Sequence, residues 1–214
     1  MSFLFDIVKK MRIGIFGGTF DPIHNGHMKA AYEFIRQAKL DQLYVIPDRI
    51  PPHKEIGKYD KPEYRLEMTR LAFDAAVLSE KVVVSDMEIR SEGKSYTYLT
   101  LCRFREMGFS DLYLYCGTDM LLTFDEWYRF EDILSMCTLA YAARERQGVI
   151  LMERITEKKR YLTERFHAKI LDLLFDPIEI SSSKIRQMIQ RGEDVSCYLP
   201  EPVWEYVKKK DLYR

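Results

Sequence analysis

Two histidines, His24 and His27, stand three residues apart in the segment Gly17-Gly18-Thr19-Phe20-Asp21-Pro22-Ile23-His24-Asn25-Gly26-His27. At that spacing two imidazoles reach one group together across the first turn of a helix. The chain has four histidines in all, so half of them fall in this one turn. The adjacent glycines allow positive φ and let an anion approach main-chain N–H groups. A helix starting near Asn25 aims its positive end at the same space. Gly26 is expected to remove a side chain that would block a ligand. The chemistry this combination suits is a phosphate held while it reacts. A plain strand-to-helix turn with two surface histidines is the alternative, and it leaves the convergence of these features unexplained.

A second cluster lies far downstream, Ile180-Ser181-Ser182-Ser183-Lys184-Ile185-Arg186. Three hydroxyls ahead of a helix make a capping group, and Arg186 offers a guanidinium fork that fits phosphate oxygens. Alone it reads more readily as a serine-capped helix with a solvated arginine.

The elements that must position these residues follow from hydrophobic spacing. Residues 11–16 form an apolar run ended by Gly17-Gly18, a buried strand entering a tight turn. Met28, Ala31, Tyr32, Ile35 and Ala38 recur at helical spacing across 26–39. Strands are expected at 43–46, 82–85, 112–116, 138–143, 170–174 and 178–180. Helices are expected at 62–76, 98–107, 127–134, 149–167, 183–191 and 202–210, the first opened by Pro62 with Leu66, Thr69 and Phe73 on its buried side. Strands alternating with helices predict a Rossmann-like, doubly wound α/β fold. Its sheet is mostly parallel with helices on both faces, and a small helical segment closes the C-terminal end. Residues 11–214 read as a single domain, and residues 1–10 as an extension without an assigned role.

The GGTFDPIHNGH segment resembles the signature of the HxGH nucleotidyltransferase superfamily, and ISSSKIR resembles its ISxTxxR element, with Ser183 in place of the usual threonine. Other segments narrow the resemblance to the bacterial nicotinate mononucleotide adenylyltransferase family. These are Pro51-Pro52-His53-Lys54, Ser95-Tyr96-Thr97, Gly117-Thr118-Asp119, Trp127, and the closing Tyr198-Leu199-Pro200 with Val203 to Tyr213. The resemblance covers residues 11–213. It implies ATP binding by Gly17, Gly18, Thr19, Phe20, His24, His27, Ser181, Ser182, Ser183 and Arg186, with His24, His27 and Arg186 catalytic. It implies an acceptor, nicotinate mononucleotide, held by Asp21, Lys54, Thr97, Gly117, Asp119, Trp127, Tyr128 and Arg144. The family often has Arg-Pro-Gly after the fifth strand, whereas this chain reads Arg144-Glu145-Arg146-Gln147-Gly148. Judged without the resemblance, Lys54 reads as a solvated charge, Thr97 equally as a helix cap or a carboxylate-binding residue, and Trp127 as core. Asp119, following a strand-ending glycine, leans towards ligand binding.

The implied reaction sends a phosphate oxygen of the acceptor in line onto the α-phosphorus of ATP, expelling pyrophosphate. A phosphate needs no general base, so catalysis reduces to alignment and charge neutralisation. A helix N-terminus disfavours an imidazolium by about 0.3–1 kcal/mol. A phosphate about 4 Å away favours it by roughly 4 kcal/mol at an effective dielectric of about 20. Both histidines are therefore expected to charge once ATP binds. No carboxylate cluster promises a permanent metal, so Mg²⁺ is expected to arrive with ATP.

Composition narrows the remaining classes. The chain has 214 residues, 47% apolar and 31% charged, with 33 basic and 33 acidic side chains. That balance gives no polyanion-binding tail, so nucleic acid is not an expected partner. No apolar run of about 20 residues promises a membrane span, and residues 1–10 lack a cleavable signal layout. Cys102, Cys116, Cys137 and Cys197 show no CxxC pair and read as reduced cytoplasmic thiols. Gly93-Lys94-Ser95 lacks the glycine and strand-loop-helix order of a Walker loop, and no GxGxxG is present. A transfer to nicotinamide mononucleotide or pantetheine phosphate, a tRNA synthetase and a non-enzymatic nucleotide sensor are the competing readings. Self-association as a homo-oligomer is left open by the sequence.

Overall fold

The structure is a computed structural model that describes residues 11–51, 61–76, 79–143, 148–176 and 178–214. The extension 1–10, Lys54 and the loop from Arg144 to Gln147 lie outside the described residues.

Six strands form one sheet: β1 (Arg12–Gly18), β2 (Gln42–Pro47), β3 (Val82–Val84), β4 (Asp111–Cys116), β5 (Cys137–Ala143) and β6 (Lys169–Leu174), in the order β3-β2-β1-β4-β5-β6. Residues 12–15 run parallel beside 111–114, 112–116 beside 137–141, and 138–143 beside 169–174. The order builds outward from β1 in one direction and from β4 in the other, which is the doubly wound, Rossmann-like pattern. Interior strands read as near-continuous buried runs because a parallel sheet is covered on both faces. Thus Ile13, Ile15 and Phe16 of β1 and Leu112 and Leu114 of β4 are buried, whereas edge strand β6 leaves Leu174 exposed. Eight helices are described: α1 (Asn25–Gln37), α2 (Pro62–Asp74), α3 (Thr97–Glu106), α4 (Thr118–Leu122), α5 (Phe130–Met136), α6 (Val149–Phe166), α7 (Ser182–Gln190) and α8 (Glu201–Lys209).

The chain divides into two compact units. One holds the residues up to Phe16, Glu33–Leu43 and Tyr96–Asp176; the other holds Gly17–Tyr32, Tyr44–Ser95 and Pro177–Arg214.

Four expectations are corrected. Gly17 and Gly18 are the last two residues of the first strand, not a turn that follows it. Residues 178–180 are not a strand; Ile180 N–H donates to the Ile178 carbonyl within the same short turn. Trp127 does not open a helix: it follows a 3-10 turn, Phe124–Glu126, and Arg129 adopts positive φ before α5 begins. Tyr32 is exposed, and the buried stripe of α1 runs instead through Ala30, Ala31, Phe34 and Ile35.

Gly14 shows how tightly the first unit is filled. A Cβ there would lie 2.3 Å from Leu40 Cδ1, 2.8 Å from Leu43 Cδ1 and 3.1 Å from Phe34 Cε1. All three neighbours are buried, so none can swing aside into solvent. Gly14→Ala is expected to cost about 1–3 kcal/mol through overpacking. Urea denaturation measures it, and an unchanged midpoint would mean that Leu40 and Leu43 repack freely.

Candidate active site

The glycine strand end, both histidines and the serine cluster belong to the same unit, Gly17–Tyr32 with Pro177–Arg214. Their arrangement begins with a buried arginine that the sequence reading missed. Arg65 on α2 is 1% exposed and donates to the carbonyls of Thr19 (2.9 Å), Asp48 (2.8 Å) and Arg49 (3.2 Å) and to Asp48 Oδ1 (3.1 Å). Asp48 Oδ2 accepts the Thr19 hydroxyl at 2.9 Å, and Asp48 N–H donates to the Gly18 carbonyl. The chain leaving β1 is thereby fastened to the chain leaving β2. One signal was available: Arg65 sits on the same helical stripe as Leu66, Thr69 and Phe73, where a charge is out of place.

Beyond this knot Phe20 adopts φ 52° and is buried, with its ring edge-on to His27 at 5.2 Å. The helix that follows is anchored at its start. Asn25 donates through N–H to the Tyr198 carbonyl (2.8 Å) and through Nδ2 to the Cys197 carbonyl (3.0 Å). The His24 and His27 rings stack with centroids 3.7 Å apart. His24 N–H donates to His27 Nδ1, which makes Nε2 the proton-bearing nitrogen of a neutral His27 ring. A Cβ on Gly26 would lie 3.0 Å from both Cε1 and Nδ1 of His24. Gly26 therefore makes room for the His24 ring itself, a closer constraint than the ligand clearance expected from sequence.

His24 is 5% exposed, and its Nδ1 is buried with no hydrogen-bond partner among the described residues. Burial lowers its pKa from 6.5 to about 4, the largest cause being loss of solvation for the cation. Reversing a depression of that size takes about 3 kcal/mol, close to the roughly 4 kcal/mol that a phosphate charge offers. A second cation in the stacked ring would add repulsion of similar size. The structure thus favours His24 as a neutral donor, a distinction absent from the sequence reading, where burial was not weighed.

The three serines divide their work. Ser181 caps α7 by accepting from Lys184 N–H at 3.2 Å, and Ser182 donates to the Pro22 carbonyl at 2.9 Å. Ser183 Oγ accepts from Arg186 Nη2 at 3.3 Å. Arg186 Nη1 donates to the Asp21 carbonyl at 2.6 Å and lies 3.4 Å from Asp21 Oδ2. His24, His27, Ser181 to Ser183, Arg186 and Asp21 are thus brought together around the Pro22–His24 turn.

The other unit carries most of the remaining site candidates. Thr97 opens α3 rather than capping it; the cap position is Tyr96, and no side chain caps that end. Gly117 and Asp119 flank the start of α4 after β4, with Asp119 exposed. Trp127 stacks on buried Phe124 at 5.0 Å and keeps part of its surface open. Exposed Tyr128 meets Tyr96 at 4.8 Å and Tyr98 at 6.0 Å. Arg129 lies over the Tyr98 ring at 4.2 Å and donates to its hydroxyl at 2.7 Å. Tyr96, Tyr98 and Arg129 are therefore grouped with Tyr128, which the sequence reading named without them.

Residues 15–188 match the family model described as Cytidylyltransferase-like. A Clostridium tetani protein named "Probable nicotinate-nucleotide adenylyltransferase" is 35% identical over 201 residues, spanning 94% of this chain and 98% of that one. A Clostridium novyi protein of the same name is 37% identical over 202 residues with the same coverage. Among solved structures, Plasmodium falciparum nicotinic acid mononucleotide adenylyltransferase complexed with NaAD aligns with a TM-score of 0.74 at 19% identity. The alignment covers 95% of this chain and 97% of that one, a likeness of fold.

The low His24 pKa has a consequence for stability. The unfolded chain binds a proton on this ring near pH 6.5, whereas the folded chain resists it down to about pH 4. Stability linked to His24 is present above pH 6.5 and is lost as pH falls through that window, by about 3 kcal/mol in all. Denaturation series between pH 7 and 4 should show a shallower acid loss in His24→Asn than in the parent. Parallel acid limbs would mean that the native ring titrates normally.

Proposed function

The chain belongs to the cytidylyltransferase-like family, and we propose that it transfers the adenylyl group of ATP to nicotinate mononucleotide, releasing pyrophosphate and nicotinate adenine dinucleotide in NAD biosynthesis. The observation that carries this reading is the stacked His24–His27 pair at the start of α1, with Arg186 in the same unit. The names of the relatives that match nearly end to end support the acceptor.

In this reading His27 Nε2 donates to an α-phosphate oxygen as negative charge grows there, and neutral His24 supplies a second dipole. Arg186 presents guanidinium N–H groups to the triphosphate. The acceptor's own phosphate oxygen is the nucleophile, so the protein supplies alignment and electrostatics rather than a base. A magnesium ion carried in on the triphosphate would neutralise charge on the departing pyrophosphate. Among the described residues no group of three or more His, Cys, Asp or Glu is placed to hold a metal.

On the acceptor side Trp127 offers a stacking face, and the uncapped start of α3 at Thr97 offers N–H groups suited to a carboxylate. Among the described residues no helix is long and apolar enough to cross a membrane. All four cysteines are unpaired, and burial pushes the Cys137 thiol up to about 12, which fits a reducing, cytoplasmic setting.

His27→Ala is expected to lower turnover by about 10²–10³, the usual loss for one transition-state donor, with ATP affinity changing far less. Pyrophosphate release measures it, and a variant keeping more than about a tenth of parental turnover would remove His27 from the catalytic role. Acid and amide acceptors differ by one carboxylate, which a site with unpaired donors can discriminate strongly. The kcat/KM for nicotinate mononucleotide should exceed that for nicotinamide mononucleotide by at least about 10². Trp127→Ala should lower both while preserving much of their ratio. Comparable parental values would remove the acid preference while leaving adenylyl transfer intact.

A further inference from the structure

The turn after α8 reaches back to the phosphate-binding arginine through a single carboxylate. Tyr213 hydroxyl donates to Asp21 Oδ1 at 2.5 Å, across 192 residues of sequence. The other oxygen, Asp21 Oδ2, lies 3.4 Å from Arg186 Nη1, which also donates to the Asp21 carbonyl. Arg186 then reaches Ser183 Oγ through its other amino group. Four side chains from three separate stretches form one line: Tyr213, Asp21, Arg186, Ser183.

Two features mark this line as a built arrangement. Tyr213 adopts φ 68°, a conformation that a bulky residue rarely takes and that persists only where surrounding contacts hold it. Two residues earlier Asp211 takes φ 51°, so the chain bends twice to deliver the tyrosine. A carboxylate beside an arginine that must hold a triphosphate is also an electrostatic liability. It repels the phosphates and competes for the guanidinium, most strongly when both its oxygens face the fork. The Tyr213 hydroxyl engages one of those oxygens and limits Asp21 to a single long contact with Nη1.

We propose that Tyr213 is a positioning residue for ATP: it restrains the Asp21 carboxylate so that the Arg186 fork stays aimed at the triphosphate. The inference rests on the adenylyl-transfer reading above and concerns which residue outside the two signature segments completes that site. Without the hydroxyl, Asp21 rotates both oxygens onto Arg186 and withdraws it from phosphate. Removing one oxygen atom, as in Tyr213→Phe, leaves the ring and its packing in place.

The test is an ATP titration by calorimetry on four proteins: the parent, Tyr213→Phe, Arg186→Lys and the double variant. Tyr213→Phe is expected to bind ATP roughly tenfold more weakly, the loss of one hydrogen bond to a charged group. In steady state its ATP KM should rise by a similar factor, with kcat near the parental value. In the Arg186→Lys background the same change should weaken ATP binding no further, because the fork it serves is gone. Unaltered ATP affinity in Tyr213→Phe overturns the proposal, as does an additive loss in the double variant. A lower unfolding midpoint with unchanged ATP affinity overturns it too, since that is a merely structural role. A parent that binds no ATP would instead overturn the adenylyl-transfer reading, and this inference with it.

Discussion

A guanidinium shut away from water needs an acceptor for its donors, and Arg65 draws on Thr19, Asp48 and Arg49 to supply them. This requirement organises the site more than any apolar contact does. Carbonyls are scarce in a packed interior, and those at strand ends are the ones a helix side chain can reach. Meeting Arg65 therefore forces the exits of β1 and β2 to lie side by side, with Asp48 gripping Thr19 from the other direction. Removing one partner from such a buried pair leaves an uncompensated charge, which costs about 3–5 kcal/mol. The glycine-rich exit of β1 is consequently held by polar bonds of fixed length, and the backbone that must approach a phosphate cannot drift.

The histidines inherit that rigidity. Phe20 packs edge-on to His27, His27 stacks on His24, and Gly26 leaves only enough room for the His24 ring. Close stacking and burial both penalise a doubly charged pair of rings. Dipoles fixed in advance need little reorganisation when charge develops, which is where electrostatic catalysis gains most.

Legibility in the sequence followed the range of the interactions. The strand, glycine pair, helix start and histidine spacing of residues 12–37 are local, and the structure has them in one continuous stretch. Misreadings arose where a local pattern met a non-local or backbone constraint. Trp127, Phe130, Ile133 and Leu134 have helical spacing, yet Arg129 at positive φ breaks the helix between them. Ile178 and Ile180 alternate as a strand would, but the segment is spent on turning into α7, and the Ile178 carbonyl faces Gly26. Arg65 was visible as a charge on an apolar stripe. Tyr213 was not, because nothing near it in sequence shows that a residue 192 positions away awaits its hydroxyl.

The two groups of site residues differ in how they are secured, and that difference bears on what can change without loss of the fold. Arg65, His24 and Phe20 are buried. Substitution there is a folding problem before it is a catalytic one. Tyr128, Asp119 and Arg129 are exposed, Trp127 is partly so, and the aromatic group around Thr97 is held by ring contacts and one guanidinium. Surface positions of that kind usually change stability by about 0.5 kcal/mol or less. The aromatic group can therefore be altered residue by residue on a stable scaffold, whereas the histidine turn is bound to packing that tolerates little.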